Sequence, residues 1–188
     1  MSQTVPWSAF TGQQFKELGL TESQIRYVWH DAALPAGLPV TQVYGWLLCP
    51  ATGRVLVQEQ DDGTHSLPGG TPEPYDADLE ATLAREAFEE NQVRIAPAPA
   101  YLGYQEVFEP GRPPYAQVRM AGVITEFAPR GPDPDSGRTN QRWMTSLTAA
   151  PELLGWGEPA EAQARGAACA GRRWGLPVDN PAPDGYQD

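Results

Sequence analysis

The stretch from Leu67 to Val93, LPGGTPEPYDADLEATLAREAFEENQV, constrains this chain more than any other. It opens on a Gly-Gly pair, crosses a proline-punctuated loop and enters a segment with helical spacing. On a helix over 78–91 at about 100° per residue, Leu83, Ala84, Ala87 and Phe88 share an apolar arc of roughly 140°. Glu86, Glu89 and Glu90 fall beside it, in an arc of roughly 100° that also takes in Leu79. Like charges at i,i+3 and i,i+4 cost about 0.2–0.5 kcal/mol per pair, and Arg85 is the one basic residue on this helix. An isolated E-x-x-E-E face is ordinarily solvated surface. A carboxylate cluster on a rigid element beside a glycine loop is instead what a hard divalent cation wants.

These residues resemble the signature of the Nudix hydrolases, G-x5-E-x7-R-E-U-x-E-E-x-G-U, with U bulky and apolar. Arg85, Glu86, Ala87, Phe88, Glu89 and Glu90 match its R-E-U-x-E-E core, Ala87 being small for its slot. Leu67, Pro68, Gly69 and Gly70 match the L-P-G-G entry, Glu73 follows where many members carry an acid, and Val93 fills the closing apolar position. Counted back from Arg85, the middle glutamate falls on Ala77 and the glycine on Thr71. One extra loop residue restores the glycine and leaves Asp76 or Asp78 as the nearest acid. The last glycine is replaced by Gln92. A helix exit at positive φ suits glycine, and Asn91 is the neighbour expected to adopt that conformation instead.

The rest of the chain bounds the reading. Its 188 residues suffice for one domain with appendages. A net charge of −11 and a pI near 4.6 argue against a nucleic-acid polymer or an anionic membrane as partner. No apolar run reaches the length of a membrane span, and MSQTVPWSAF lacks a basic region with an apolar core, so a cytoplasmic protein is expected. Cys49 and Cys169 lack metal spacing and read as free thiols. An acidic chain acting on an anion needs local help, for which Arg26, Arg112 and Arg119 are candidates.

Along the sequence, 1–39 reads as a helical N-terminal extension and linker. Phe10, Phe15 and Leu18 fall in a first helix, Thr21 and Gln24 form a capping box, and Ile25, Val28 and Trp29 line a short second helix. Strands are expected over 40–49, 54–60, 64–68, 100–108 and 115–127, the last two forming a hairpin whose loop overhangs the site. On 115–127, Val118, Met120, Gly122 and Ile124 share one face, and Gln117, Arg119, Ala121 and Val123 the other. A surface loop over 129–140, a strand at Arg142–Met144, a helical turn at 151–154 and a helix over 158–174 complete a domain spanning 40–174. Residues 175–188, with their prolines and aspartates, read as a disordered tail. This order suits an α/β fold with a mixed sheet between helical layers, as does the α/β/α sandwich that the resemblance implies.

The resemblance further implies hydrolysis of a diphosphate linkage in a small nucleotide, with Mg2+ (or Mn2+) as cofactor. Carried over residue by residue, Glu86, Glu89 and Glu90 would be metal ligands, joined by a glycine carbonyl at Gly69 or Gly70. Arg85 would orient the carboxylates, giving Arg85, Glu86 and Glu89 as the catalytic set. The general base stays open among a box glutamate, Glu106, Glu109 and Glu126. Tyr115 or Phe108 is a candidate to stack on a base, and Arg119 to meet a phosphate. Pro110, shortly past the box, weakly favours ADP-ribose or a nucleotide sugar. A sanitiser of modified nucleoside triphosphates is the alternative chemistry. Ala77 and Gln92 motivate a third reading, a nucleotide-binding module without turnover. A homodimer is compatible with all three.

Overall fold

The computed structural model describes residues 25–60 and 62–188. Strands β1 (Arg26–His30), β2 (Val40–Leu48), β3 (Val55–Glu59), β4 (His65–Ser66) and β5 (Gly69–Gly70) precede helix α1 (Leu79–Asn91). Strands β6 (Val93–Ile95), β7 (Ala100–Phe108), β8 (Tyr115–Phe127) and β9 (Gln141–Thr145) follow, then helices α2 (Ala150–Leu154) and α3 (Glu158–Arg173) and strand β10 (Gly185–Tyr186). The main sheet runs β1-β7-β8-β2-β3-β9-β10, with β4 on β3, β5 on β2 and β6 on β8. Strands β2 and β8 pair in parallel while β7 and β8 form an antiparallel hairpin, so the sheet is mixed.

Alternation along β2 and β8 divides the core in two. Val43, Leu47, Val118, Met120 and Ile124 pack with Leu83 and Ala87 of α1 on one face. Trp46, Leu48 and Ala121 pack with Ala164, Ala167 and Ala170 of α3 on the other. The two faces expected for 115–127 are therefore observed. Alanines at that spacing let α3 lie close to the sheet. Gly45 does the same for α1, since a Cβ there would sit 2.7 Å from Leu83 Cδ1.

Helix α1 starts where Asp78 accepts a hydrogen bond from the Ala81 amide at 2.8 Å, an N-cap. Its buried face comprises Thr82, Leu83, Ala87 and Asn91, so two members of the expected apolar arc are corrected. Ala84 is exposed, and Phe88 lies at the surface under the Arg94 guanidinium, 4.4 Å from its ring centroid. The helix exit is corrected too. Gln92, not Asn91, takes the left-handed conformation, at φ 49° and ψ 41°. Its side chain offsets the strain: Nε2 donates to Glu89 O and Oε1 accepts from the Gly131 amide, both at 2.9 Å.

The chain ends also differ from expectation. Ile25, Val28 and Trp29 lie in or beside an edge strand rather than a helix, and β1 pairs with β7 from Arg26↔Phe108 to His30↔Tyr104. Aromatic and β-branched residues in RYVWH suit a pleated edge, and pairing with β7 outweighs the local helical spacing. The helix over Phe10–Leu18 and the Thr21–Gln24 box lie outside the described residues. The tail expected to be disordered contributes β10, which pairs with β9. There Tyr186 packs edge-on against Trp143 at 4.8 Å, and Gln187 O accepts from Arg142 Nε at 2.9 Å. Cys49 and Cys169 are free thiols.

Candidate active site

Gly69 and Gly70 form β5 against Val43 and Tyr44 of β2. At Gly69 (φ 149°), a Cβ would lie 2.0 Å from Val43 O. At Gly70 it would lie 2.5 Å from the Glu86 carboxyl. The glycine pair thus lets β5 lie flat on β2 while the second half of α1 presses its carboxylates onto the loop.

Arg85 organises this end of the helix. Its Nε and Nη2 take both oxygens of Asp76 at 3.1 and 3.0 Å, and Nη2 also reaches Thr71 O at 2.9 Å. Its Nη1 donates to Glu86 at 3.0 Å and to Glu89 at 2.7 Å. Of the two acids left open by the loop's extra residue, Asp76 therefore pairs with the arginine, and Asp78 caps the helix. The bidentate pair, mostly buried on the Asp76 side, holds that carboxyl near a pKa of about 2 and drives the guanidinium upward.

Glu90 accepts from the Gly69 amide at 2.8 Å and from Gln58 Nε2 at 2.6 Å, and Ser66 holds the Gln58 amide oxygen in turn at 2.9 Å. Burial pushes the Glu90 carboxyl up to about 8 against those two hydrogen bonds, with Glu86 and Asp133 adding negative charge. Burial likewise raises Glu86 to about 7, against Arg85, with Glu89 and Asp135 adding to the rise. Asp133 and Asp135, on the loop before β9, thus bring negative charge to bear on the box helix. Among the described residues, no three His, Cys, Asp or Glu side chains form a metal-holding group in this arrangement, in which Glu86 and Glu89 both turn to Arg85. The donor set nonetheless has hard-cation chemistry: carboxylate oxygens driven toward protonation by burial and mutual charge, beside a glycine strand.

A cavity of about 870 Å3 lies on the α3 face of the sheet, one strand from the glycine pair. Its floor is polar. Gln105, Gln117 and Gln42 stand in register across β7, β8 and β2, and Arg119 lies two residues further along β8. Arg119 is buried without a carboxylate partner among the described residues, and burial lowers it to about 10. Its guanidinium carbon sits 4.5 Å from the Tyr44 ring centroid and 5.3 Å from that of Trp156. Burial raises the Tyr44 phenol to about 12, and Glu90 and Glu86 add to that rise, so this wall lies within electrostatic reach of the box carboxylates. Tyr115 lines the same cavity, raised to about 12 by burial and then by Glu109. Arg26 lines it as well, stacked 4.0 Å over Phe108.

The expected site residues thus gather in two neighbouring groups, Gly70, Arg85, Glu86, Glu89 and Glu90 in one, Tyr115 and Arg119 in the other. The three acids offered as a base are each paired with a basic side chain. Glu106 binds His30 at 3.0 Å, Glu109 binds Arg112 at 3.1 Å, and Glu126 binds Arg94 at 3.3 Å. Arg142, where an acid often stands in the resembling family, is buried and holds the carbonyls of Ala128, Asn91 and Gln187. Gln58, Tyr44, Trp156 and the glutamine row carried no motif. For Gln58, Tyr44 and the glutamine row the one sequence signal is a polar residue alternating with buried apolar ones on a strand, and Trp156, between two helices, has none.

The NUDIX domain family model matches residues 39–164. The chain belongs to the Nudix family. Members of this hydrolase family act on nucleoside diphosphate derivatives as pyrophosphohydrolases, generally with divalent metal ions. No curated protein sequence matches the chain significantly. Among solved structures, a mutant of the Bacillus subtilis pyrophosphohydrolase BsRppH is 20% identical with a TM-score of 0.49, over 58% of this chain and 66% of that one. A Nudix hydrolase from Nitrosomonas europaea is 19% identical at 0.49, over 75% and 94%. The C. elegans Ap4A hydrolase is 14% identical at 0.46, over 71% and 98%. All are distant, and none bears on the substrate. Among the described residues, no helix is long and apolar enough to cross a membrane.

Proposed function

We propose that this Nudix protein cleaves the diphosphate linkage of a nucleoside diphosphate joined to a sugar, with Mg2+ held at the box helix. The observation that carries the reading is geometric: Glu86 lies against Gly70 and Glu90 accepts from the Gly69 amide at 2.8 Å, where burial also raises the two carboxyls to about 7 and 8. Carboxyls in that state gain most from a cation that replaces their protons. Glu86, Glu89 and Glu90 would hold the ion, with the Gly70 carbonyl. The bound ion would supply charge neutralisation on the diphosphate and a water of lowered pKa.

The chain's own residues do the positioning. Arg85, locked by Asp76, fixes the rotamers of Glu86 and Glu89, and Gln58 with the Gly69 amide fixes Glu90. Holding charged groups ready in a partly dry site accounts for much of the rate enhancement in such reactions. The cavity beside Tyr44 takes the nucleoside end, with Arg119 and Tyr115 in contact with it. Pro110, in the β7–β8 turn, resembles the proline of sugar-linked branches of the family and weakly favours ADP-ribose or a nucleotide sugar.

One observation favours a binding module instead. Glu86 and Glu89 are both engaged by one nitrogen of Arg85, so the ligand set has to rearrange before it can close on an ion. Incubation with Mg2+ and a panel of nucleoside diphosphate sugars, ADP-ribose and modified nucleoside triphosphates separates the readings. Release of a nucleoside monophosphate and a sugar phosphate, abolished by chelator, is expected. Saturable binding with no product across the panel supports the module.

A further inference from the structure

The hydrogen bonds on the cavity floor can run in only one direction, and that direction reads out what the cavity takes. Arg119 has donors and no acceptor. Its Nη2 donates to Gln105 Oε1 at 3.1 Å and to Gln117 Oε1 at 3.2 Å, so both amides must turn their oxygens toward it. The Gln117 amide nitrogen must then donate onward, and it does, to Gln42 Oε1 at 2.7 Å. Every amide oxygen in the row is therefore used. The amide nitrogens of Gln105 and Gln42, at the two ends, form no hydrogen bond among the described residues, and Arg119 Nε is buried without a partner. The polar atoms that the floor leaves without any partner among the described residues are donors, across three adjacent strands, while each amide oxygen already accepts one hydrogen bond. Among the described residues the carboxylate that lines the cavity is Glu109, and Arg112 at 3.1 Å and Tyr115 already engage it. The Tyr44 hydroxyl stays protonated at neutral pH and can donate as well as accept.

We infer that this cavity selects a keto nucleobase, one that presents a carbonyl where adenine or cytosine presents an amine. A 6-keto purine shows two adjacent acceptors, O6 and N7, whereas adenine places a donating amine beside N7. An amine set against amide and guanidinium donors leaves both sides unpaired in a buried site, which is a strong basis for rejection. Tyr44 and Trp156, inclined at 64° with the Arg119 guanidinium over both rings, give that end of the cavity an aromatic edge. The inference rests on the preceding reading of the cavity as the nucleoside end of the site. It also ranks the substrates proposed there, placing guanosine, inosine or uridine diphosphate sugars above ADP-ribose.

The test compares ligands that differ only at the exocyclic group. Inosine and adenosine 5′-monophosphate are titrated into the full chain by calorimetry, with ribose 5-phosphate as the arm lacking a base. Inosine monophosphate is expected to bind about tenfold or more tightly than adenosine monophosphate, and ribose 5-phosphate more weakly than either. Equal affinity for the two bases overturns the inference. So does ribose 5-phosphate binding as tightly as inosine monophosphate, which would make the cavity a phosphate site. Gln105→Glu turns one end of the row into an acceptor and should narrow or reverse the preference. If the base preference is present yet no diphosphate derivative is cleaved, the inference stands and the hydrolase reading falls.

Discussion

Asp76 and Asp78, two residues apart, perform different jobs, and substitution separates them. Asp78→Asn keeps a capping side chain and should change stability by a few tenths of a kcal/mol or less, with activity intact. Asp76→Asn leaves the largely buried Arg85 without its bidentate partner. It is expected to cost about 1–3 kcal/mol in urea denaturation and to lower kcat, because Glu86 and Glu89 hang from the same guanidinium. The raised carboxyls make a second prediction. Glu86 and Glu90 bind protons more tightly folded than unfolded, so their contribution to stability is complete at low pH. It is lost as pH rises from about 4.5 through about 7 and about 8. The metal-free protein should therefore show a falling Tm across that window, and excess Mg2+ should flatten the slope. Calorimetric titration of Mg2+ at pH 7, in buffers of differing ionisation enthalpy, should register net proton release.

At the scale of elements, the box helix and its glycine entry were the legible part. Their residues are contiguous, so a spacing rule finds them, and the alternation along β8 was legible for the same reason. Strand β1 was misread because Ile25, Val28 and Trp29 have helical spacing, whereas its conformation is set by β7, some 75 residues on. The cavity floor was illegible in kind: Gln42, Gln105 and Gln117 meet only through strand register, which no local window contains. The two glycines of β5 allow a sharp contrast. Gly70 has an ordinary φ, so Gly70→Ala should leave the fold intact while pushing the Glu86 carboxyl aside, weakening Mg2+ affinity about tenfold or more. Gly69→Ala meets the Val43 carbonyl at a φ disfavoured for L-residues. It should destabilise the protein itself by about 1–3 kcal/mol, seen as a lower Tm with and without metal.

Across the whole molecule, the two sequence extremities of the described chain supply the two edges of one sheet, β1 and β10. The tail looked disordered because its prolines, aspartates and single tyrosine carry no periodicity. Its order comes from partners elsewhere, namely Trp143, Arg142 and Glu59, whose carboxylate accepts from the Tyr186 hydroxyl at 2.6 Å. Removing residues 185–188 strips a carbonyl from the buried Arg142 and should cost about 1–3 kcal/mol in chemical denaturation, without touching the box helix. The proposed function requires that Glu90 belong to a cation site on which diphosphate cleavage depends. The most direct measurement is the Mg2+-dependent cleavage rate of a nucleoside diphosphate sugar by Glu90→Gln beside the unaltered protein, with the Tm of each recorded. Loss of about a hundredfold or more in kcat at unchanged or higher Tm is predicted. A variant that turns over at the original rate and with the original Mg2+ dependence would contradict it.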